Sequence, residues 1–343
     1  MQIQENFSLK QYNTFGINVK AKRFAGFSAT DELTDLLDYI KESPAMILGG
    51  GSNILLTKDI DGIVLKNEIK GIVVTGEDEN HFYIEAGAGE NWHQFVQYCI
   101  GRNWAGLENL SLIPGNVGAS PMQNIGAYGV EIKEVFNSLT AFHIHDKTIH
   151  TFTAGDCEFG YRESVFKRKY KNEFVILRVN FRLRKSPVFH TEYGAIREEL
   201  ERMQVSTLSI KAISQAVINI RTSKLPDPKV IGNAGSFFKN PSIAQTDFLR
   251  LKEKFNGIVG FNNPDGTVKL AAGWLIEHSG PKEGISWKGY RTGDAGCHTK
   301  QALVLVNYSN ASGKEIYDLS EAIMQSVEKK FGIMLEREVN VYA

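Results

Sequence analysis

The chain has 343 residues, of which 42% are hydrophobic and 23% charged, enough for two or three domains with hydrophobic cores. Lysine and arginine number 39, as do aspartate and glutamate, so the formal net charge is zero. A general nucleic-acid binder normally carries a basic excess, and this balance argues against that class. No apolar run approaches membrane-spanning length, and the first residues lack a signal-peptide pattern. We therefore expect neither nucleic acid nor membrane as a partner.

Two amphipathic helices are predicted in the first third of the chain. The first begins at Thr30, and its apolar face consists of Leu33, Leu36, Leu37 and Ile40. The apolar face of the second consists of Trp92, Phe95, Val96 and Cys99. Short apolar runs at 45–48, 54–56 and 63–65 predict buried strands, with a turn at Asp61-Gly62 before the third.

The remainder of the chain divides near Ser186-Pro187. Residues 136–184 are rich in strand patterns. A charged helix is predicted at 195–203, and an amphipathic helix is predicted to run from Ser206 to a proline-containing loop. Near the end, Ser312 and Glu315 have the spacing of a capping box, and Gly332 ends that helix. Residues 333–342 are predicted to form a final strand.

The three cysteines, Cys99, Cys157 and Cys297, are widely separated and form no C-x-x-C pair. This spacing favours neither a zinc site nor a redox dithiol. A sparse, odd number of cysteines is typical of the reducing cytosol. His143 and His145 lie on an alternating strand pattern and match no metal motif. We therefore expect a cytoplasmic protein without a bound metal.

The segment Gly49-Gly50-Gly51-Ser52-Asn53 follows a predicted strand and has the composition of a loop that binds an anion through backbone N–H groups. A plain glycine turn between strands would look the same. The next residues are strand-like, and neither G-x-G-x-x-G nor G-x-x-x-x-G-K-[ST] occurs. A Rossmann-type site is disfavoured, because its phosphate lies at a helix N-terminus.

A second glycine-rich segment spans residues 113–129, and no charged residue lies between Glu108 and Glu131. A buried crossover loop would also lack charge. Loops are seldom buried, however, because their polar backbone must be satisfied. We therefore favour ligand binding, and two such segments predict a large dinucleotide with a diphosphate.

The segment 232–241 places one hydroxyl, that of Ser236, among small residues that allow a ligand to approach closely. Ser236 lacks a G-x-S-x-G elbow, and the segment contains no histidine. It therefore resembles a proton donor more than a hydrolase nucleophile. The alternative is a pair with His298, which precedes a predicted strand at 302–306, although a histidine in such a place is more often structural.

Further candidate groups are an arginine and two glutamates. Arg162 lies in a polar turn and carries a fork of donors that suits a carboxylate, although a surface arginine would look the same. Glu336 and Glu338 share one face of the predicted final strand. That arrangement is compatible with a glycosidase pair or with a solvated edge strand.

Seven motifs in a fixed order resemble one known family and span essentially the whole chain. They lie at residues 13–16, 48–53, 113–129, 159–162, 235–241, 271–276 and 335–339. Together they resemble the UDP-N-acetylenolpyruvoylglucosamine reductases, also called UDP-N-acetylmuramate dehydrogenases. The segment around Tyr193 is similar to a loop found in the longer of the two subclasses of that family.

The resemblance implies an α+β chain. Residues 14–187 would be a two-lobed FAD-binding domain of the vanillyl-alcohol-oxidase type, with lobes at about 1–66 and 67–187. Residues 188–205 would be a linker with the Tyr193 loop. Residues 206–343 would be an α+β substrate-binding domain that ends in a catalytic tail. The cofactor would be non-covalent FAD with NADPH as co-substrate, and the protein a monomer.

The implied reaction is the NADPH-dependent, FAD-mediated reduction of the enolpyruvyl ether of UDP-N-acetylglucosamine to UDP-N-acetylmuramate, a peptidoglycan precursor. Hydride comes from FAD N5 and the proton from Ser236. Arg162 and Glu338 would stabilise the enolic carboxylate. The choice of Glu338 over Glu336 rests on the family position alone. Arg337 stands between them where many members have proline.

The resemblance also assigns binding residues. Those for the UDP-sugar are Tyr193, Lys224, Asn240 and Gln301, with Lys224 suited to the diphosphate. Those for FAD are Gly49, Gly50, Gly51, Ser52, Asn53, Ile54, Pro114, Gly115, Gly118, Ser120, Asn124 and Gly126. No metal site is implied.

Two alternatives remain at this level. Another FAD oxidoreductase of the same fold, acting on a hydroxy acid or a sugar, would share the glycine-rich segments but would not need the Ser236 segment with the Lys224 loop. A non-flavin enzyme or nucleotide-sugar binding module, such as a glycosidase using Glu336 and Glu338, would contain no FAD.

Overall fold

The structure is a computed structural model that describes residues 2–41 and 44–342. Met1 is the first residue of the first predicted lobe, and Ala343 is the last residue of the predicted substrate-binding domain. Both lie outside the described residues. The described chain forms two compact units. Unit 1 lies within Met1–Phe7, Ala21–Gly51 and Ile60–Ser223, and unit 2 within Ser8–Lys20, Ser52–Asp59 and Lys224–Ala343.

The described residues contain eight α-helices and twenty β-strands. The helices are α1 (Thr30–Ile40), α2 (Trp92–Gly101), α3 (Ala154–Cys157), α4 (Gly194–Arg202), α5 (Ile210–Lys224), α6 (Gln245–Lys254), α7 (Ala272–Ser279) and α8 (Gly313–Phe331). The strands are β1 (Gln4–Ser8), β2 (Lys20–Phe27), β3 (Met46–Leu48), β4 (Ile54–Leu56), β5 (Ile60–Asn67), β6 (Ile72–Glu77), β7 (His81–Gly87), β8 (Gly126–Ala127), β9 (Val130–Glu131), β10 (Phe136–His143), β11 (Ile149–Thr153), β12 (Phe174–Arg184), β13 (Gly232–Ser236), β14 (Ser242–Ala244), β15 (Gly260–Asn262), β16 (Thr267–Leu270), β17 (Arg291–Thr292), β18 (Ala295–Cys297), β19 (Val304–Asn307) and β20 (Asn340–Tyr342).

Two sheets form the scaffold of unit 1. In the first, of order β1-β2-β5-β3, strand β5 pairs in parallel with both β2 and β3. The second, of order β11-β10-β12-β7-β6, is antiparallel throughout. The predicted apolar faces of α1 and α2 are buried, each within a core cluster that contains strand residues. These two helix predictions are confirmed, because a periodic apolar stripe must be covered.

Helix α5 belongs to unit 1, whereas the sequence predicted a substrate domain from residue 206. Its apolar face packs with α4 in one cluster, which includes Ile196 and Val217. Ser214 of α5 also bonds with Ser111 Oγ at 2.8 Å and accepts from Gln97 Nε2 at 3.0 Å. The last part of unit 2 begins at residue 224, and the predicted domain limits near 187 and 206 stay a prediction.

Unit 2 is built on the antiparallel sheet β13-β19-β18-β17, with the smaller sheet β14-β16-β15 and the parallel pair β20-β4. The motif at residues 13–16 supports β13, because Asn233 N–H donates to Thr14 O at 3.0 Å. The predicted capping box of α8 is present, and Gly332 ends the helix with φ +68°. In the described part of the chain, no helix is long and apolar enough to cross a membrane.

Three predicted element boundaries are wrong. Asp61-Gly62 is not a turn but lies within β5, where Gly62 is needed because a Cβ there would lie 2.7 Å from Ala45 Cβ. Helix α5 begins at Ile210 instead of Ser206, because Ser209 Oγ accepts the N–H of Ala212 at 3.1 Å.

The third wrong boundary is that of the final strand. Residues 333–342 were predicted as one strand, but only Asn340–Tyr342 forms one, with β4. The preceding residues pair instead with the Ser236 segment, through an isolated bridge between Phe238 and Arg337. This tail, residues 333–342, pairs first with the Ser236 segment, residues 232–241, and then with β4. The change of partner prevents one continuous strand.

Candidate functional site

Residues 49–51 of the first glycine-rich segment lie against the second glycine-rich segment in unit 1. A Cβ placed on Gly50 would lie 2.7 Å from Gly115 Cα and 3.0 Å from Asn116 Oδ1. Gly115 has φ +113°, a conformation that glycine adopts readily. Lys66 Nζ donates to Gly49 O at 2.6 Å. Two segments distant in sequence therefore form one backbone-lined surface.

This surface has the donors that a diphosphate requires. Among the described residues, the backbone N–H groups of Gly50, Gly115 and Asn116 donate to no other protein group. Backbone N–H groups exposed on a glycine-lined surface bind phosphate oxygens without help from a charged side chain. The residues present therefore fit the FAD diphosphate that the sequence predicts.

Other residues assigned to FAD hold the second segment in shape. Ser120 is buried, and its Oγ donates to Val117 O at 2.6 Å. Gly118 packs so closely on Ala88 that a Cβ added to Gly118 would lie 2.5 Å from Ala88 Cβ. The contacts that Ser120 and Gly118 make in the structure are with other parts of the protein. Their contacts with FAD remain a prediction.

Asn124 connects the second glycine-rich segment to the turn that carries Arg162. Its Nδ2 donates to Gly160 O and Glu131 Oε2, both at 2.9 Å, and its Oδ1 accepts a backbone N–H at 3.1 Å. Arg162 Nη2 donates to Gly126 O at 2.7 Å. Arg162 is half-buried and has φ +55°. The guanidinium is therefore held by the segment assigned to the cofactor.

Tyr193 precedes α4 in unit 1 and is 51% exposed. Its ring meets that of Tyr128 edge-on, with centroids 5.4 Å apart. Arg221 bonds with the Tyr128 phenol, and its Nε donates to Leu112 O at 3.2 Å. Burial raises the pKa of Tyr128 and lowers that of Arg221. Arg221 was missed in the sequence, although it stands four residues after Val217, on a helix face predicted to be apolar.

In unit 2 the tail lies beside the Ser236 segment. Ser236 is the last residue of β13 and is exposed, whereas Phe237 and Phe238 are buried. Glu338 N–H donates to Phe237 O at 2.9 Å, and Lys239 N–H donates to Glu336 O at 2.8 Å. The structure thus brings Ser236 and Glu338 onto one pair of adjacent segments.

The two tail glutamates have different surroundings. Glu336 is ion-paired with the buried Lys239. The backbone of Glu338 is bonded on both sides, because its carbonyl also accepts from Asn53 Nδ2 at 3.2 Å. The glycosidase alternative is weakened, since one of its two carboxylates is engaged by Lys239.

His298 does not form a pair with Ser236. Its N–H donates to Val304 O, and Val304 of β19 is paired with Ser236 of β13. The two side chains are therefore separated by a strand, about 10 Å at the usual strand spacing. His298 Nδ1 is buried and has no partner in the described chain. A Ser/His nucleophile is therefore not supported.

The remaining residues assigned to the UDP-sugar lie in unit 2. Lys224, at the end of α5, is exposed. Asn240 Oδ1 accepts the N–H of Ala272 at 2.9 Å, and Gln301 Oε1 accepts that of Leu303 at 3.3 Å. Each amide oxygen is used within the fold, whereas the amide NH2 groups donate to no group of the described chain.

The histidines and cysteines do not assemble a metal centre within the described residues, in which no cluster of three or more potential ligands occurs. His143 packs against His145 with ring centroids 5.9 Å apart, and it lines a cavity of about 470 Å³ that contains none of the predicted site residues. The three cysteines are free and buried. Burial raises the pKa of Cys157 and Cys297 to about 12.

Comparison with known protein families accounts for both parts of the chain. Residues 22–152 match the family model described as FAD binding domain. Residues 227–342 match the model described as UDP-N-acetylenolpyruvoylglucosamine reductase, C-terminal domain. A glycine-lined diphosphate surface in an FAD-binding domain, joined to a reductase domain, defines an FAD-dependent oxidoreductase.

Full-length relatives give the particular family. The chain is 50% identical over 342 residues to the UDP-N-acetylenolpyruvoylglucosamine reductase of Flavobacterium johnsoniae, covering 99% of this chain and 100% of the relative. It is 48% identical over 344 residues to that of Pseudomonas syringae, covering 100% and 99%. The chain therefore belongs to the UDP-N-acetylenolpyruvoylglucosamine reductase family.

A solved structure supports the fold. The crystal structure of UDP-N-acetylenolpyruvylglucosamine reductase from Thermus caldophilus matches with a TM-score of 0.69 at 24% identity, covering 100% of both chains. The predicted resemblance, fold class and enzyme class are confirmed, as is FAD as the cofactor. The non-flavin alternative is wrong.

Proposed function

We propose that this enzyme reduces the enolpyruvyl ether of UDP-N-acetylglucosamine to UDP-N-acetylmuramate, with FAD as cofactor and NADPH as co-substrate. The observation that carries the proposal is the pairing of the Ser236 segment with the tail that contains Glu338. It occurs in a chain that is 50% identical to a named reductase over its full length. The product would be consumed in peptidoglycan synthesis, and through it in cell growth and division.

The glycine-lined surface of unit 1 would hold FAD by its diphosphate. When bound, FAD would supply the hydride chemistry that links NADPH to the methylene carbon of the substrate. Gly50, Gly115 and Asn116 would contribute backbone donors to its diphosphate, because their N–H groups donate to no group of the described chain. Tight packing of Gly50 on Gly115 would fix the orientation of the cofactor.

Arg162 and Glu338 would stabilise the negative charge that develops on the substrate. Hydride addition at the methylene carbon leaves charge on the adjacent carbon and its carboxylate. The Arg162 guanidinium can bind that carboxylate with two parallel hydrogen bonds. Glu338, its backbone fixed, would share a proton or hydrogen bond with the enolic carboxylate.

Ser236 would donate the proton that completes the reduction. Its hydroxyl is exposed, and in the described chain its Oγ takes part in no hydrogen bond. An alcohol is a weak acid, but a carbanion is a strong base, so proton transfer is favourable when the geometry is fixed. The proton leaves Ser236 Oγ and forms a C–H bond at the carbon next to the carboxylate.

Four side chains would bind the nucleotide-sugar. Lys224, exposed at the end of α5, suits the diphosphate. Asn240 and Gln301 have amide NH2 groups available as donors. Tyr193, half exposed above Tyr128, would cover the nucleotide. We further propose a cytoplasmic monomer without nucleic-acid or membrane partners, on the basis of the balanced charge and sparse cysteines.

The two half-reactions separate the role of Ser236 from cofactor binding. Ser236→Ala should leave reduction of the bound flavin by NADPH within about twofold of the unmodified enzyme. Reoxidation by the enolpyruvyl UDP-sugar should fall by at least about a hundredfold, the range of a lost proton donor. Both rates are measured anaerobically from the visible flavin spectrum.

Ser206→Ala, in an exposed loop of unit 1, is the matched control and should leave both rates unchanged. An equal loss of rate in both half-reactions of Ser236→Ala would show that the substitution disturbs the flavin site. Unchanged reoxidation would remove Ser236 from the mechanism.

A further inference from the structure

The side chain of Arg337 is directed away from the two glutamates that flank it in sequence. Its Nε donates to Ser320 Oγ at 2.9 Å, and its guanidinium forms an ion pair with Glu321. Its Cζ lies 4.5 Å from the centre of the Tyr317 ring. Only 17% of the Arg337 side chain is exposed. The tail is therefore attached to α8 at this residue.

The three partners of Arg337 lie on one stripe of α8, since positions three and four residues apart face the same way on a helix. A planar guanidinium that meets a hydroxyl, a carboxylate and an aromatic ring together has little freedom to rotate. Ser320 is fully buried, and its own Oγ donates to Tyr317 O at 2.6 Å. The attachment point on the helix is itself fixed.

The backbone around Arg337 is attached to different partners. Arg337 forms a bridge with Phe238, and Glu338 N–H donates to Phe237 O at 2.9 Å. Two residues later, Asn340 N–H donates to Asn53 O at 3.1 Å, where the tail joins β4. Glu338 thus lies between two backbone attachments, next to a residue whose side chain is attached to a helix.

We propose that Arg337 is a positioning residue for Glu338, holding the tail in the register that sets the Glu338 carboxylate beside the Ser236 segment. Successive side chains of an extended segment point to opposite faces, so a slip of one residue would move Glu338 away and put its neighbour there. The contacts of Arg337 with α8 oppose that slip, because the tail could slip only after these contacts had been broken. This inference rests on the proposed role of Glu338.

The test is a double-mutant cycle between Arg337→Met and Glu338→Gln, read in both half-reactions. Arg337→Met keeps most of the aliphatic bulk but loses the hydrogen bond and the ion pair. We expect it to slow reoxidation by the enolpyruvyl UDP-sugar by about tenfold to a hundredfold, the cost of a small misplacement. Flavin reduction by NADPH should stay within about twofold. In the Glu338→Gln background the same change should slow reoxidation by less than about twofold.

Two further variants define the interaction. Arg337→Lys retains the charge and should recover part of the lost rate. Glu321→Gln breaks the ion pair from the helix side and should shift reoxidation in the same direction by a smaller factor, which tests the attachment even if Arg337→Met folds poorly. Glu328→Gln, an exposed substitution on the same helix, is the matched control and should change nothing.

The cycle distinguishes failure of the inference from failure of the proposed function. Equal slowing by Arg337→Met in both backgrounds, or no slowing in either, overturns the positioning role. Normal reoxidation in Glu338→Gln alone overturns the proposed role of Glu338, whatever Arg337→Met does.

Discussion

Asn124 lies among residues that the family resemblance assigns to FAD, yet its side chain is engaged by the protein. Its amide donates to Gly160 O and Glu131 and accepts a backbone N–H, and the residue is fully buried. Ser120, Asn240 and Gln301 likewise use a side-chain oxygen within the fold. These side chains therefore hold the backbone of the candidate site in place through hydrogen bonds, in addition to any contact they make with a ligand.

Asn124→Leu should destabilise the enzyme because it removes the hydrogen bonds that this buried amide donates to Gly160 O and Glu131, and leaves the Lys133 N–H without its acceptor. An unpaired buried polar group costs about 1–3 kcal/mol, and we expect a loss of that size in the free energy of unfolding. The measurement is urea denaturation at fixed FAD concentration. Asn137→Ala, at an exposed position of β10, serves as control and should change stability by less than about 0.5 kcal/mol. Equal stability of the two variants would refute the structural role.

Some residues of the candidate site could be predicted from the sequence, and others could not. Ser236 and Arg162 could be proposed from their local segments and from family motifs. The contact of the partly buried Arg221 with Tyr128 and the Lys239–Glu336 ion pair could not, because each depends on segments that meet only in the folded chain.

At the element scale, local signals predicted helices well and strands less well. The apolar stripes of α1 and α2 and the capping box of α8 lie within single helices, so the sequence contains all the information they need. Gly62 resembled a turn residue, but it lies within β5 and is needed for packing against Ala45, the residue that precedes β3. The tail has the alternating pattern of a strand, but it changes its pairing partner along its length. A local sequence pattern does not reveal such a change.

His93 of α2 connects that helix to the start of the second glycine-rich segment. Its Nδ1 accepts the N–H of Leu112 at 3.0 Å, which only a neutral imidazole can do. Leu112 has φ +59° and immediately precedes the segment. Burial lowers the pKa of His93 below its usual 6.5. The stabilising contact is therefore fully present above about pH 6.5 and is lost as the pH falls through the lower folded-state pKa.

Acidification should therefore weaken FAD binding through His93. Between about pH 7 and pH 5, loss of one hydrogen bond worth about 1 kcal/mol corresponds to a roughly fivefold rise in the FAD dissociation constant. His93→Gln keeps an acceptor that does not titrate and should make FAD binding less dependent on pH over that range. Fluorescence titration of the apoprotein with FAD measures both proteins. Identical pH profiles would exclude His93 as the titrating group.

At the scale of the whole molecule, an α+β flavoprotein with a separate reductase domain could be predicted because seven motifs occur in order along the chain. The division of the chain into its two compact units could not be predicted. The apolar face of α5 predicted burial but not the partner, and the helix packs on α4 in unit 1. Residues 8–20 and 52–59 join unit 2 through long-range pairing, such as that of β4 with β20. These limits depend on contacts between segments distant in sequence.

In the proposed reaction, the bound flavin passes hydride from NADPH to an enolpyruvyl UDP-sugar. Anaerobic visible spectroscopy of the FAD-loaded protein follows both hydride transfers. NADPH should bleach the flavin absorbance, and the enolpyruvyl ether of UDP-N-acetylglucosamine should restore it, whereas UDP-N-acetylglucosamine itself should not. Recovery of the flavin absorbance with an oxidised hydroxy acid or sugar in place of the enolpyruvyl substrate, or no recovery with that substrate, would exclude the proposed reaction.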